Sequence, residues 1–248
     1  MSKDLFSTQA KTYSLYRPHY PDALFDYIIS FVTDKNIALD CATGNGQAAV
    51  KLADYFSSVK AIDISKAQLG EAVQKPNIEY LLSSAENTPF NDDTFDLITV
   101  AQAYHWFQHD IFNNEMHRIG KNGSIVAIWF YERTDTGDTE LDNLLHHFYK
   151  DITGPYWDEG RQFVDNQYAS LPFPYEPIPA TPFTTTINYT LDQLKGYLTS
   201  WSAVQKFIKV NGYSPLTLIE EKLQTLWGNE KTKAFPFAIY LKIGRIKK

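Results

Sequence analysis

Ile37-Ala-Leu-Asp-Cys-Ala-Thr-Gly-Asn-Gly-Gln-Ala-Ala-Val50 is the stretch on which the reading of the fold turns. An apolar run, Ile37 to Leu39, ends in an acid, Asp40, and a loop bearing Gly44 and Gly46 follows. Ala49, Leu52, Ala53 and Phe56 then recur at i, i+3, i+4 and i+7, the spacing of one helix face. Strand, tight glycine turn and helix make the first unit of an open α/β sheet, whose ligands sit at the carboxyl ends of strands. Glycine suits such a turn because a backbone without Cβ can bend sharply and approach a ligand.

Two cofactor readings compete for this loop. Gly44-Asn-Gly46-Gln-Ala-Ala49 fits the dinucleotide pattern G-x-G-x-x-G/A, and Asp63 lies 17 residues beyond Gly46, near the place of a ribose-binding acid. An NAD(P)-dependent oxidoreductase is therefore one alternative. Asp40 weighs against it, because a carboxylate about 5 Å from a pyrophosphate is repelled by roughly 3 kcal/mol at an effective dielectric near ~20. The same charge attracts an ammonium and a sulfonium, so the loop suits S-adenosylmethionine better than NAD. A helix-packing glycine turn with no ligand is the third reading.

Asp40-Cys-Ala-Thr-Gly44-Asn-Gly46-Gln47 resembles the first motif of class I S-adenosylmethionine-dependent methyltransferases, usually D/E-x-G-x-G-x-G. Ala42 stands where the first glycine is common, which alanine meets at modest cost if φ stays negative. The resemblance covers about residues 37–130. It implies a Rossmann-like α/β fold: a mostly parallel seven-stranded sheet with helices on both faces, an antiparallel C-terminal strand and a lid insertion. The expected division is 1–35 as an N-terminal helical arm or lid and 36–130 as the cofactor-binding core. Residues 131–182 follow as an acceptor-side insertion, and 183–248 complete the sheet.

Composition bounds the partners. With 248 residues and 44% apolar content the chain can bury a sizeable core. A formal charge of −6 disfavours general binding to a phosphate backbone. No apolar run reaches the roughly 20 residues needed to span a bilayer. The start lacks the apolar core of a secretion signal, so a cytoplasmic protein is expected. One cysteine, Cys41, excludes an internal disulfide and a cysteine-cluster metal site, and reads as a small buried filler. The expected partner is a small-molecule acceptor, with neither nucleic acid nor membrane; the sequence sets no oligomeric state.

Along the chain, Phe6, Ala10 and Tyr13 keep helical spacing, and Arg17-Pro18-His19-Tyr20-Pro21 must be extended or turn. The segment is either a packed arm or a lid offering tyrosine faces and a guanidinium. Asp22 is placed to cap the next helix, whose stripe is Leu24, Phe25, Ile28, Ile29 and Val32. Val59 to Asp63 reads as a second strand whose terminal acid can accept both ribose hydroxyls, and Ser65 as a helix cap. Ile78–Leu82 and Asp93–Val100 read as the third and fourth strands, Ser124–Trp129 as a buried fifth, with Lys121-Asn-Gly123 as a turn before it. Tyr131 to Asp138 reads as loop, 183–189 as a strand, and Leu194, Tyr197, Leu198 and Trp201 as one helix stripe. Phe235, Phe237, Ile239, Leu241 and Ile243 alternate as an edge-paired final strand.

The N-terminal arm, the Ala101-Gln-Ala-Tyr-His-Trp-Phe107 string and Trp201-Ser202 are similar to the trans-aconitate methyltransferase-like (methyltransferase type 11) subgroup. The resemblance implies a cofactor site of Asp40, Ala42, Gly44, Gly46, Gln47, Asp63, Ile64, Ser84, Ala85, Glu86, Ala101, Gln102 and Tyr13. Ser84 stands where related sequences carry an acid for the adenine amino group. Tyr16, Arg17, Tyr104, Trp106 and Arg133 are the acceptor-side candidates, with no metal ligand among them. Arg17, Arg133 and Arg161 lie in lid segments and could clamp a carboxylate. His105 is the histidine near the expected methyl position, as a base or an acceptor contact. A carboxylate acceptor needs no base, whereas an amine, phenol or carbon acid does. The expected function is methyl transfer to a small molecule, a carboxylate among the options, with a non-catalytic cofactor-binding protein as the further rival.

Overall fold

A computed structural model describes residues 16–248; Phe6, Ala10 and Tyr13 lie outside them. Helix α1 (Asp22–Ile29) precedes β1 (Ile37–Cys41), α2 (Gln47–Leu52), β2 (Ser58–Asp63), α3 (Lys66–Gly70) and β3 (Ile78–Leu82). Then come β4 (Phe95–Ala101), α4 (His109–Ile119), β5 (Gly120–Arg133), α5 (Thr139–His147) and α6 (Arg161–Asp165). The chain closes with β6 (Glu176–Ile178), β7 (Phe183–Tyr189), α7 (Leu191–Thr199), α8 (Ser202–Asn211), α9 (Glu220–Trp227) and β8 (Lys233–Arg245).

The sheet order is β3-β2-β1-β4-β5-β8-β6, with β7 also paired to β8. Strands β1 to β5 pair in parallel, and β8 runs antiparallel to β5, β6 and β7. The eight strands fill seven positions, because β6 and β7 pair with separate stretches of β8, Ile243–Arg245 and Lys233–Ile239. Strand β8 is thus interior to the sheet and not an edge.

Both sheet faces are covered, which is why the strands read as near-continuous apolar runs. Ala38, Leu97, Ile125, Ala127 and Trp129 face one layer with Leu24, Phe25, Leu52, Leu141 and Leu223. Their alternate neighbours Leu39, Cys41, Ile98, Val100, Val126 and Ile128 face Phe112, Met116 and Ile119 of α4. Buried polar groups are matched inside this frame. The Asp96 carboxylate accepts the Asn36 and Ile37 amides at 3.1 and 2.9 Å, tying the start of β1 to β4.

Five local expectations are corrected. Pro21, not Asp22, is the N-cap of α1, and Asp22 instead pairs with Lys51. Residues 120–123 and 131–133 belong to β5 and not to the turn and loop that their polar residues suggest: Gly120 pairs with Phe95 of β4 across a register shift, and Tyr131–Arg133 pair with β8. Trp201 is not part of the α7 stripe; it is the N-cap of α8, a helix not anticipated from the sequence. Ala42 adopts φ +52°, in the left-handed region, not the negative φ expected.

The chain steps outward from β1 to β2 and β3, then returns across to β4, so β1 and β4 flank the topological switch point, with Cys41 opposite Val100. The loops after these strands therefore open side by side. The first turns at Gly46, whose φ of +84° caps α2 and where a Cβ would lie 2.3 Å from Tyr80 Oη. Gly46→Ala is expected to destabilise by about 2–4 kcal/mol, from left-handed strain plus overpacking. Ala42→Gly is expected to stabilise by about 0.5–1 kcal/mol, strain relief exceeding the entropy of glycine. Urea unfolding of both variants checks the pair, and opposite signs are the required result.

Candidate active site

Two carboxylates hold the glycine loop. Asp63, at the end of β2, accepts the Gly44 amide on Oδ2 and the Ser65 amide on Oδ1, each at 2.8 Å. Asp40, at the end of β1, accepts the Thr43 hydroxyl at 2.6 Å and the Thr99 hydroxyl of β4 at 2.8 Å. Only 1% of Asp40 is exposed. Its side chain is turned into the fold, and hydroxyls occupy both of its oxygens. Burial lifts its carboxyl from an ordinary 3.8 to about 6, and the charge of Asp63 adds to the rise.

Around this loop the other cofactor candidates are placed as follows. Gly44 has φ +57°, and among the described residues an added Cβ would meet only Gln68 Oε1, at 3.8 Å. Gln47, first residue of α2, lies 3.1 Å from His19 Nδ1. Ile64, directly after Asp63, is 38% exposed and offers an apolar face beside the carboxylate. The Ser84 hydroxyl is engaged by the Glu86 carboxylate and accepts the Glu86 amide at 3.2 Å, and Glu86 Oε1 accepts the Gln108 amide at 3.2 Å. Ala85 is buried between them. Ala101 ends β4, and Gln102 follows with φ +60°, its amide on the Trp129 carbonyl and its side chain on the Tyr131 carbonyl. Tyr13 lies outside the described residues. A donor set of one carboxylate, main-chain groups and an exposed apolar face fits an adenosine better than a phosphate.

The β4 loop opens onto a cavity of about 490 Å³, within the range of small-molecule sites. Gln102, His105, Trp106, Arg17 and Arg133 all line it. Tyr104 does not. It is fully buried, with its hydroxyl on the Pro172 carbonyl and beside Asn113, because the short helix 104–106 turns this ring into the core. Arg133 is ion-paired to Asp142 at 3.1 Å and bonded to the Thr134 carbonyl, which removes it as a free clamp. Arg17 is likewise spent on Ser200 and Tyr131, packed over the Tyr197 ring at 5.6 Å. Tyr16 packs its ring against Gly196, where a Cβ would lie 2.5 Å away.

Arg161 is different. Its Nε meets Tyr149 Oη at 2.7 Å and Asp165 at 3.3 Å, and the guanidinium lies over Tyr149 and Trp157 at 5.3 and 4.9 Å. Its two terminal nitrogens bond to none of the described residues. His105 sits beside it with Nδ1 2.7 Å from Tyr168 Oη. Burial, helped by the charge of Arg161, pulls the His105 imidazole from 6.5 down to about 3, so it is neutral at pH 7. Burial also pushes the Glu132 carboxyl of the cavity wall up. Among the described residues no His, Cys, Asp and Glu cluster could hold a metal, and no helix is long and apolar enough to cross a membrane.

The family described as methyltransferase domain matches residues 39–128. A Dictyostelium discoideum protein assigned to the methyltransferases is 32% identical, covering 96% of this chain and 93% of the relative. The chain belongs to the class I S-adenosylmethionine-dependent methyltransferases. A solved structure of an Anaeromyxobacter dehalogenans protein assigned as a type II methyltransferase superposes with a TM-score of 0.83 at 32% identity. It covers 94% of this methyltransferase and 99% of that chain. A Saccharomyces cerevisiae protein assigned as an S-adenosylmethionine-dependent methyltransferase is 24% identical over 82% of each. The oxidoreductase alternative is thereby overturned, and the family's cofactor is S-adenosylmethionine.

Sequence reasoning missed Glu132, Tyr149 and Trp157 as lining of this cavity, and Tyr168 as the buried partner of His105 behind it. They sit in the segment without regular hydrophobic period, so no spacing signalled that α6 folds back onto the short helix 104–106. The Asp40 carboxyl yields a stability test. Its folded value exceeds its unfolded one, so its stabilising contribution is complete below pH ~4 and is lost as pH rises through about 6. Asp40→Asn lacks this dependence. The stability of the variant relative to the parent is expected to rise by about 3 kcal/mol between pH ~4 and ~7. Urea unfolding at both pH values measures it, and a flat difference would contradict the assignment.

Proposed function

We propose that this chain methylates a small carboxylic acid bound in the cavity between β4, β5 and α6. Asp63 would take the ribose hydroxyls of the cofactor, Ile64 would lie against the adenine, and the Ala85 main chain would meet its edge. Gly44 would leave the backbone free to approach. When bound, S-adenosylmethionine supplies a methyl group activated by a sulfonium. The chain's own part is to exclude water, align the nucleophile and favour positive charge near the loop, contributions that together amount to several kcal/mol. Asp40 and Asp63 at neighbouring strand ends favour a cationic ligand there.

The observation that carries the acceptor class is Arg161. Its Nε is held by Tyr149 and Asp165 and its face by Tyr149 and Trp157, so the fork is fixed before any ligand arrives. The terminal nitrogens are left for a planar, ionised group, which is how guanidinium recognises carboxylate. Among the described residues the acceptor side is an open cavity, which favours an enzyme over a cofactor-binding module.

The test is release of S-adenosylhomocysteine with a panel of small mono- and dicarboxylic acids set against amines and phenols of the same skeletons. Carboxylates are expected to turn over. Arg161→Gln is expected to raise their KM by about 10- to 100-fold, the worth of a charge-assisted hydrogen-bonded pair, with Arg161→Lys between. Turnover of amines or phenols alone, or an unchanged KM in Arg161→Gln, would overturn the reading.

A further inference from the structure

Tyr168 reaches His105 at the expense of local backbone freedom. Gln167 and Tyr168 have consecutive φ values of +58° and +56°, a conformation that residues with a Cβ rarely adopt. Such outliers persist where surrounding contacts over-determine them. Those contacts are present. The Tyr168 ring is 1% exposed and packs on Phe130 at 4.4 Å, and its carbonyl accepts Lys242 Nζ from β8 at 2.5 Å. From the other side, a Cβ at Gly160 would lie 3.0 Å from the His105 carbonyl and 3.5 Å from its Cδ2. The imidazole is thus clamped on two sides.

Hydrogen-bond accounting then fixes its proton. The Tyr168 phenol oxygen lies 2.7 Å from Nδ1. The phenol's own proton has Nδ1 as its one acceptor among the described residues. Were Nδ1 protonated, the phenol oxygen would accept from the ring and its own buried hydrogen would have no acceptor, a costly arrangement. The Tyr168 hydroxyl therefore donates to Nδ1, and a neutral imidazole must carry its hydrogen on Nε2.

From this we infer that His105 is a fixed Nε2–H hydrogen-bond donor to the acceptor and not a general base, with Tyr168 as its positioning residue. The inference rests on the methyl-transfer reading and deepens it. A donor holds one oxygen of an ionised carboxylate while the other is methylated. Ester formation joins that oxygen to the methyl carbon, sulfur keeps the departing electron pair, and no proton changes hands. An acceptor that must lose a proton finds no base at this position. The device selects for nucleophiles already ionised at neutral pH.

The tautomer is read on the full chain, without any acceptor, by long-range ¹H–¹⁵N correlation of histidine-labelled protein, with His105→Gln assigning one signal among six histidines. A neutral ring with hydrogen on Nε2, unchanged across the neutral pH range, is expected. In Tyr168→Phe the signal is expected to become a mixture of tautomers. A hydrogen on Nδ1, or a ring that titrates near neutrality in the parent protein, would overturn the inference even if Tyr168→Phe fails to fold. With a carboxylate from the acceptor panel, His105→Gln, which keeps an N–H donor, is expected to retain activity within about threefold while His105→Ala loses tenfold or more. Equal loss in both, with a shifted pH profile, would indicate a base. Failure of every carboxylate in the panel would sink the acceptor class while leaving the tautomer measurement to stand or fall alone.

Discussion

The Gly44 amide donates 2.8 Å to Asp63 Oδ2, and on this bond the geometry of the cofactor side depends. It joins the end of β2 to a turn that leaves β1, across neighbouring parallel strands. The turn needs φ values of +52° at Ala42, +57° at Gly44 and +84° at Gly46, so it would not hold this shape unaided. Asp40 supplies the second tie by accepting hydroxyls from Thr43 in the turn and Thr99 in β4. Ionising a carboxyl in this enclosure is opposed by burial, and the two donated hydroxyls make up part of that cost. The loop is therefore built before a ligand arrives, and its negative charge is stored beneath it.

The switch point converts this local arrangement into a two-sided site. Because β1 and β4 are neighbours, the glycine loop and the Gln102–Trp106 turn open at one edge of the sheet. The cofactor side is made of main chain and carboxylate. The cavity beyond the β4 loop holds aromatic walls, the neutral His105 imidazole and the Arg161 guanidinium fixed by its neighbours, with Glu132, Asp135, Asp158 and Asp165 also in its lining. Segments that are remote in sequence meet here. Tyr168 reaches His105 across 63 positions, and Lys242 of β8 holds Tyr168 in turn.

The parts legible from sequence are those where local periodicity and burial agree. The 37–50 unit, the strands ending at Asp63 and Leu82, and the alternation of Phe235 to Ile243 all follow from patterns that the sheet itself enforces, with both faces buried. Asp63, Gly44, Gly46 and His105 stand out in the sequence because strand ends and tight turns announce themselves, and the structure places them there. The acceptor wall was not legible. Arg17, Arg133 and Arg161 are equivalent as sequence, and only tertiary pairing separates the two that are spent on Ser200 and Asp142 from the one whose terminal nitrogens bond to none of the described residues. Tyr104 and Tyr168 show the same limit from the other side: the tyrosine inside the recognisable string turns into the core, while the one in a patternless segment touches the histidine. Asp40 was legible as a carboxylate beside the loop, but whether it faced outward depended on Thr99, 59 positions away.

The most direct measurement is calorimetric titration of the purified chain with S-adenosylhomocysteine and, separately, with NADH, repeated on Asp63→Ala with its folding checked by thermal melting. The account predicts one S-adenosylhomocysteine site per chain with micromolar affinity, lost by at least about tenfold in the variant, as expected when a charge-assisted hydrogen-bonding group is removed, and no response to NADH. Binding of S-adenosylhomocysteine that is indifferent to Asp63, or no binding by a folded protein, would contradict it.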